Sequence, residues 1–362
     1  MSRPTILIAG GGTGGHVFPA VAVADAMKSL ADVDVAFCGT QAGVEARVIP
    51  ARGYELELLR VEPMKGGGVA QAARGAVLAA RATVQARAVV RRLAPRAVMS
   101  VGGYASGPTT LAAALHGVPV TVLEPNSVVG LANRLLAPFA RRAYLAWDEA
   151  GGPFRASARR LYGVPLRAGF SPRPYRARGR SRVLVMGGSQ GAAALNERVP
   201  DVIARVRDAL PAVEVLHQAG NGRDGSVRED YARRGLGRAE VVPFLDDVAG
   251  AIADADLVLA RAGAATIAEV LAIGRASVLV PFPYAADDHQ RRNAEALARA
   301  GASVCVPQQA AAAARLAAEV LRLLADDAAR TAMADAARAR GRPQAARAVA
   351  ADLLSVARIE VG

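Results

Sequence analysis

Lysine is almost missing from this 362-residue chain. Only Lys28 and Lys65 are present, so arginine supplies 43 of the 45 basic residues, against 32 acidic ones, for a net charge of +13. Aromatic residues are also scarce, at 4%, which removes the stacking platforms that hold single-stranded nucleic acid. Zinc-finger cysteine pairs and an aromatic RNA-recognition motif are absent too, so the positive charge is not read as a nucleic-acid interface. The two cysteines, Cys38 and Cys305, lie 267 positions apart. That spacing gives no disulfide framework and fits a reducing cytoplasm. The opening apolar run, Thr5–Ala9, breaks into glycines after five residues, too short for a signal-peptide core. The 27-residue stretch from Ala97 to Leu123 carries no charge, but Gly102, Gly103, Gly107, Pro108, Gly117 and Pro119 interrupt it. It is expected to be strand, turn, helix and strand rather than a membrane span.

What is present is a chain that is 52% hydrophobic and 21% charged, enough to build large cores. At roughly 150 residues per domain its length suggests two. Apolar runs at Thr5–Ala9, Val33–Cys38, Ala97–Val101, Val118–Leu123, Arg182–Met186, Val213–His217, Leu257–Ala260 and Ser277–Val280 read as strands. Helical patterns separate most of them, as in 18–31, 70–93 and 192–209. Alternation of this kind predicts an α/β fold with parallel sheets covered on both faces. Thr5-Ile-Leu-Ile-Ala-Gly-Gly-Gly and Arg182-Val-Leu-Val-Met-Gly-Gly-Ser form a weak repeat, each a strand entering a glycine turn. The expected division is residues 1–164, a Pro-, Arg- and Gly-rich linker at 165–181, and residues 182–344. Two doubly wound, Rossmann-like domains of this kind predict an interdomain cleft at the carboxyl ends of their strands.

Three glycine turns follow predicted core strands. Gly10-x-Gly12-x-x-Gly15 matches the dinucleotide fingerprint formally, but the second strand ends in Cys38-Gly39-Thr40 without the acid that would bind ribose, which argues against a dehydrogenase. The turn still offers backbone N–H groups at a helix N-terminus, where negative charge is favoured. Gly187-Gly188-Ser189-Gln190-Gly191 and Gly102-Gly103-Tyr104-Ala105-Ser106-Gly107-Pro108 repeat the arrangement. Any one such turn could serve strand-to-helix packing alone; three together favour a phosphate- or sugar-binding cleft. His16, one of four histidines, either bonds the local backbone or acts as general base or acceptor-positioning group. The trio Asp287-Asp288-His289 is not read as a metal site, because consecutive side chains rarely converge on one ion, and Asp246-Asp247 reads as a helix cap. Gly263 and the amides after it could face a ligand, Glu269 could accept from ribose hydroxyls, and Gln290 and Asn293 lie i,i+3 on one helical face suited to sugar hydroxyls.

At these positions the chain resembles the MurG family, membrane-associated transferases that move N-acetylglucosamine from UDP-N-acetylglucosamine to lipid I, the undecaprenyl-linked muramoyl-pentapeptide, giving lipid II in bacterial cell wall synthesis. The most specific pieces are G-G-T-G-G-H-V-F-P at 11–19, G-G-Y-A-S-G-P at 102–108, G-G-S-Q-G-A at 187–192, R-A-G-A-A-T-I-A-E at 261–269 and D-H-Q-R-R-N at 288–293. The resemblance implies a GT-B fold, an inverting displacement without cofactor or protein-bound metal, and a C-terminal helix, here about 345–362, crossing back to the N-domain. It implies that Ser189, Gln190, Leu245, Ala264, Ala265, Thr266, Ile267, Ala268, Glu269, Gln290 and Asn293 hold the donor, helped by Arg167 and Asn126. Thr13, Gly14, Gly15, His16 and Tyr104 would face the acceptor, with His16 as base and Glu124 and Asn126 as further catalytic contributors. Two segments depart from the family pattern. Leu123-Glu124-Pro125-Asn126 stands where His-Glu-Gln-Asn is common, and Gly163-Val164-Pro165 where Gly-Asn-Pro is common. The alternatives are a UDP-N-acetylglucosamine 2-epimerase-like isomerase and a GT-B transferase with another lipid acceptor.

Part of the charge is local. Residues 60–96 hold Arg60, Lys65, Arg74, Arg81, Arg87, Arg91, Arg92 and Arg96 against Glu62, beside Val69, Val77 and Leu78. An apolar patch ringed by arginines predicts contact with an anionic membrane, and hence a peripheral enzyme at the cytoplasmic face of the plasma membrane. The bland alternative is a solvated helix face.

Overall fold

The computed structural model describes residues 3–61, 69–188 and 191–361, with 69–79 described by backbone alone. The chain folds as two units, Met1–Ala168 with Gln344–Gly362, and Gly169–Pro343.

The first unit runs β1 (Thr5–Gly10), α1 (Gly14–Leu30), β2 (Asp34–Thr40), α2 (Glu45–Ala51), β3 (Glu55–Leu59), α3 (Val69–Leu93), β4 (Ala97–Gly102), α4 (Ser106–Leu115), β5 (Val120–Glu124), α5 (Leu131–Leu136), β6 (Ala140–Leu145) and β7 (Arg159–Leu161). The strands pair in parallel in the order β3-β2-β1-β4-β5-β6-β7. Ile6, Leu7, Ile8 and Ala9 of β1 are all solvent-free, as a central parallel strand with helices on both faces must be.

The second unit runs β8 (Ser181–Met186), α6 (Ala193–Ala209), β9 (Val213–Gln218), α7 (Asp224–Arg233), β10 (Glu240–Val242), α8 (Val248–Asp254), β11 (Leu257–Ala260), α9 (Ala264–Ile273), β12 (Ser277–Leu279), α10 (His289–Arg299), β13 (Val304–Cys305), α11 (Ala313–Ala325) and α12 (Asp327–Arg340). Its sheet is again parallel, β10-β9-β8-β11-β12-β13. Asp247 caps α8 by accepting from the Gly250 amide at 2.8 Å, and Gly274, at φ +82°, ends α9 in the left-handed region that glycine enters without penalty.

The last helix, α13 (Ala345–Val356), returns to the first unit. Val349, Leu353 and Leu354 enter the core of Ile6, Ile8 and Met27. Asp352 fixes its rotation by accepting from the Tyr144 hydroxyl at 3.0 Å and pairing with Arg142 at 3.2 Å.

In both sheets the chain reverses winding direction next to its first strand: between β1 and β4 in one unit, between β8 and β11 in the other. Open α/β sheets bind ligands outside the carboxyl ends of the strands at that point.

Candidate active site

In the first unit the reversal brings the turn after β1 against the turn after β4. The Gly11 amide donates to the Gly102 carbonyl at 3.1 Å, and a Cβ on Gly103 would overlap Gly11. Gly10, Gly11, Gly12, Gly102 and Gly103 all carry φ between +86° and +152°, which side-chain-bearing residues rarely adopt. Thr13 opens α1 without a side-chain cap, so first-turn amides remain for a ligand. The His16 amide is already bonded to Thr13 O at 3.1 Å. Thr13 and Gly15 are exposed, Gly14 and His16 half-buried, and Tyr104 is 52% exposed on the neighbouring turn. His16 Nδ1 lies 3.2 Å from Gly11 O. The structure therefore brings Thr13, Gly14, Gly15, His16 and Tyr104 to one end of one sheet.

Glu124 ends β5 beside them and is 1% exposed. Its Oε1 accepts from Asn126 N at 3.1 Å and Nδ2 at 3.3 Å, and its Oε2 from Gly130 N and Asn133 Nδ2, each at 3.0 Å. Four donors saturate both oxygens, so the geometry gives Glu124 the work of holding the 126–133 turn. Asn133, absent from the sequence-based set, links this carboxylate to Ser100, whose hydroxyl donates to Asn133 Oδ1 at 2.8 Å. Sequence reasoning also missed Glu45, which accepts the Gly12 amide at 2.7 Å; the one signal was an acid soon after Gly39 and Gly43.

In the second unit, Gly187 packs so closely that a Cβ would meet Ala192 N, and one on Gly191 would overlap Ala219 O. Ser189 and Gln190 lie outside the described residues. Across the reversal, α9 starts at Ala264 with no side-chain cap, leaving the amides of Ala264, Ala265 and Thr266 without partners in the helix. Ile267 is different: its side chain is buried and its amide donates to Gly263 O at 2.9 Å. Ala268 and Glu269 are half-buried one turn further on. Leu245 is half-buried in the turn after β10, anchored by Gln218 Nε2 donating to Pro243 O at 3.2 Å. Gln290 Oε1 accepts from the Phe282 amide at 3.0 Å, while Asn293, one turn on, is fully buried with Ala294 and Leu297. The sequence-based pairing of Gln290 and Asn293 on one ligand-facing surface thus becomes one residue holding a turn and one facing the interior. Arg167 is half-buried near the end of the first unit.

Arg261 joins these parts. It is 8% exposed and donates to Val280 O at 3.1 Å, Pro281 O at 3.3 Å and Gln308 Oε1 at 2.6 Å, with Phe282 5.5 Å from its guanidinium. Burial, with Arg198 nearby, lowers its pKa to about 10. Behind the Gly187–Gly191 turn, Asn196 Nδ2 donates to Ala219 O at 2.9 Å and Asn196 Oδ1 lies 3.1 Å from His217 Nε2. Burial pushes His217 down to about 4, so the ring is neutral. Among the described residues no three His, Cys, Asp or Glu side chains are grouped to hold a metal, and no helix is long and apolar enough to cross a membrane.

Residues 6–145 match the glycosyltransferase family 28 N-terminal domain and residues 182–349 its C-terminal domain. The chain is 54% identical to a UDP-N-acetylglucosamine–N-acetylmuramyl-(pentapeptide) pyrophosphoryl-undecaprenol N-acetylglucosamine transferase of Sorangium cellulosum, over 98% of this chain and 89% of that protein. The crystal structure of Acinetobacter baumannii MurG superimposes with a TM-score of 0.81 at 31% identity, covering 97% of this chain and 99% of that one. The chain belongs to the MurG family. Its two parallel-sheet units are the Rossmann-like domains of the GT-B fold, and it is a glycosyltransferase. A UDP-GlcNAc 2-epimerase of Neisseria meningitidis, at TM-score 0.64 and 12% identity over 97% of this chain and 100% of that one, shares the fold alone.

Proposed function

We infer that this MurG-family enzyme transfers N-acetylglucosamine from UDP-N-acetylglucosamine to the C4 hydroxyl of the muramoyl sugar of lipid I, giving lipid II. The observation that carries this reading is the 54% identity, across 98% of the chain, to a transferase named for that reaction. Glycine turns at the reversal point of both sheets support it.

In this account the second unit holds the donor. The uncapped amides of α9 and the turn at 187–191 meet the diphosphate, with Ser189 adding a hydroxyl. Positive potential at a helix N-terminus favours the charge that grows on the leaving group. Glu269 accepts from the ribose hydroxyls, and the turns carrying Leu245 and Gln290 shape the base and sugar ends. The first unit holds the acceptor diphosphate at Thr13, Gly14 and Gly15, with Tyr104 beside it. The acceptor C4 oxygen forms a bond to the anomeric carbon while the bond from that carbon to the β-phosphate oxygen breaks. UDP leaves with the electron pair, and the hydroxyl proton passes to His16 Nε2. Glu124 positions Asn126 and takes no proton itself. Arg167 assists from the end of the first unit.

The lipid acceptor places the enzyme at the cytoplasmic face of the membrane. Arg81, Val84, Arg87 and Arg91 are exposed at helical spacing on α3, with Val84 67% exposed, and Leu115, on the adjacent α4, is 66% exposed. Arginines around apolar side chains suit an anionic lipid surface. Arg92 is instead paired with Glu57 at 2.7 Å. Lys65, Arg74, Val69, Val77 and Leu78 of the same predicted patch lie outside the described side chains. The reaction is tested by UDP release from UDP-N-acetylglucosamine: it should require lipid I, and release independent of lipid I would reject the assignment.

A further inference from the structure

Glu45 lies outside the glycine turn after β1, yet its carboxylate is built into it. The side chain, at the start of α2, is 2% exposed. Its Oε1 accepts from Thr40 N at 3.0 Å and Thr40 Oγ1 at 2.9 Å, and its Oε2 from Gly12 N at 2.7 Å. Room for it exists because Gly11, Gly39 and Gly43 have no side chain: a Cβ at any of the three would overlap the Glu45 side chain. Buried carboxylates need such a set of donors. Three glycines on two stretches of chain thus leave the space that this one group fills.

The Gly12 N–H and the Gly11 C=O belong to one peptide group. At its other end, Gly11 O is 3.2 Å from His16 Nδ1. A carbonyl oxygen can only accept, so Nδ1 carries the hydrogen, and in the neutral ring Nε2 carries the lone pair. Nε2 points toward Gly102, where even a Cβ would stand 3.5 Å from it.

We propose that Glu45 is a positioning residue that acts on His16 through the Gly11–Gly12 peptide. The peptide is conjugated, so a negative acceptor on its N–H shifts electron density toward its carbonyl oxygen, and hydrogen bonds in series strengthen one another. The carboxylate thereby tightens the bond that fixes the His16 tautomer and ring orientation. It also stabilises, through the peptide, the positive charge that forms on the ring when Nε2 takes a proton. The arrangement does for His16 what a carboxylate on Nδ1 does in a hydrolase triad, with a peptide group between the two. The inference rests on His16 taking the acceptor proton, and it adds the residue that prepares His16 for this.

The test is ¹⁵N NMR of the full-length protein labelled at its four histidines, with His16→Ala to assign the His16 signals. His16 should be the Nδ1–H tautomer in the unsubstituted protein. In Glu45→Gln it should become a mixture of tautomers, while kcat falls about 10-fold or more, within what general-base catalysis supplies, and KM for UDP-N-acetylglucosamine changes less than about 2-fold. A merely structural role would not move the tautomer. An Nε2–H tautomer in the unsubstituted protein overturns the proposal with no variant needed. So does a Glu45→Gln protein with unchanged tautomer and kcat. Full turnover in His16→Ala would instead defeat the base assignment and leave the tautomer result standing.

Discussion

Asn133 donates to Glu124 at 3.0 Å, and through that bond the carboxylate that ends β5 is tied to the neighbouring strand β4, because Asn133 also accepts from Ser100. The carboxylate is an anchor for donors. Exchanging it for an amide sets an NH₂ against N–H groups that now donate to the carboxylate, at a cost of about 1–3 kcal/mol for each donor left unsatisfied. Glu124→Gln should lower kcat/KM for lipid I about 10-fold or more and lower the melting temperature. The shape of the pH–rate profile should survive. Measuring kcat/KM against pH decides the point: loss of the acidic limb in Glu124→Gln would make Glu124 the proton acceptor.

His217 predicts a dependence of stability on pH. Burial holds it near 4 in the folded protein against an ordinary value of 6.5, so the unfolded chain binds the proton more readily. Stability from this residue is complete above about 6.5 and is lost as pH falls toward 4. The full difference is worth about 3 kcal/mol at 1.36 kcal/mol per pH unit. Urea unfolding at pH 7.0 and pH 4.5 should show it, and His217→Gln should show a smaller difference. An equal difference in both proteins would remove His217 as its source.

Arg261 holds two carbonyls and the Gln308 amide oxygen with one planar group. A lysine cannot reproduce that fork. Arg261→Lys should raise KM for UDP-N-acetylglucosamine roughly 10-fold, a change of about 1.4 kcal/mol, because the Pro281–Phe282 turn that bonds Gln290 loses its support. Calorimetric titration with UDP and steady-state kinetics check this; unchanged KM would mean the turn holds itself.

The exposed face of α3 predicts lipid dependence. Replacing Arg81, Arg87 and Arg91 by Glu should weaken binding to vesicles containing phosphatidylglycerol by more than about 100-fold, at about 1 kcal/mol per cation near the surface. Donor affinity should stay as it was. Flotation that is indifferent to anionic lipid content would make this an ordinary solvated face.

Central strands were legible in the sequence because they are buried on both faces: Ile6 to Ala9 and Leu257 to Ala260 read as continuous apolar runs. The edge strands were not. Glu55–Leu59, Arg159–Leu161, Glu240–Val242 and Val304–Cys305 are short or carry charge, as edges exposed to water tend to. Arg141 and Arg142 hid β6 in the same way. The glycine turns were visible because side-chain-bearing residues rarely adopt the positive φ found at Gly10, Gly11, Gly12, Gly102, Gly103, Gly188 and Gly191. What sequence could not supply was pairing in space. Nothing in a single chain says that Glu45 reaches Gly12, that Asn133 donates to Glu124, or that Asn293 faces inward.

The most direct test of the account follows the sugar itself. The full-length enzyme is incubated with UDP-[¹⁴C]N-acetylglucosamine, with and without lipid I in detergent, and label is counted in the butanol-extractable lipid and in the free sugar. Lipid-borne label should equal the UDP released, β-linked to the muramoyl sugar, with none in the absence of lipid I. Label recovered as a free or epimerised sugar in the absence of lipid I, with none in the lipid, would contradict it.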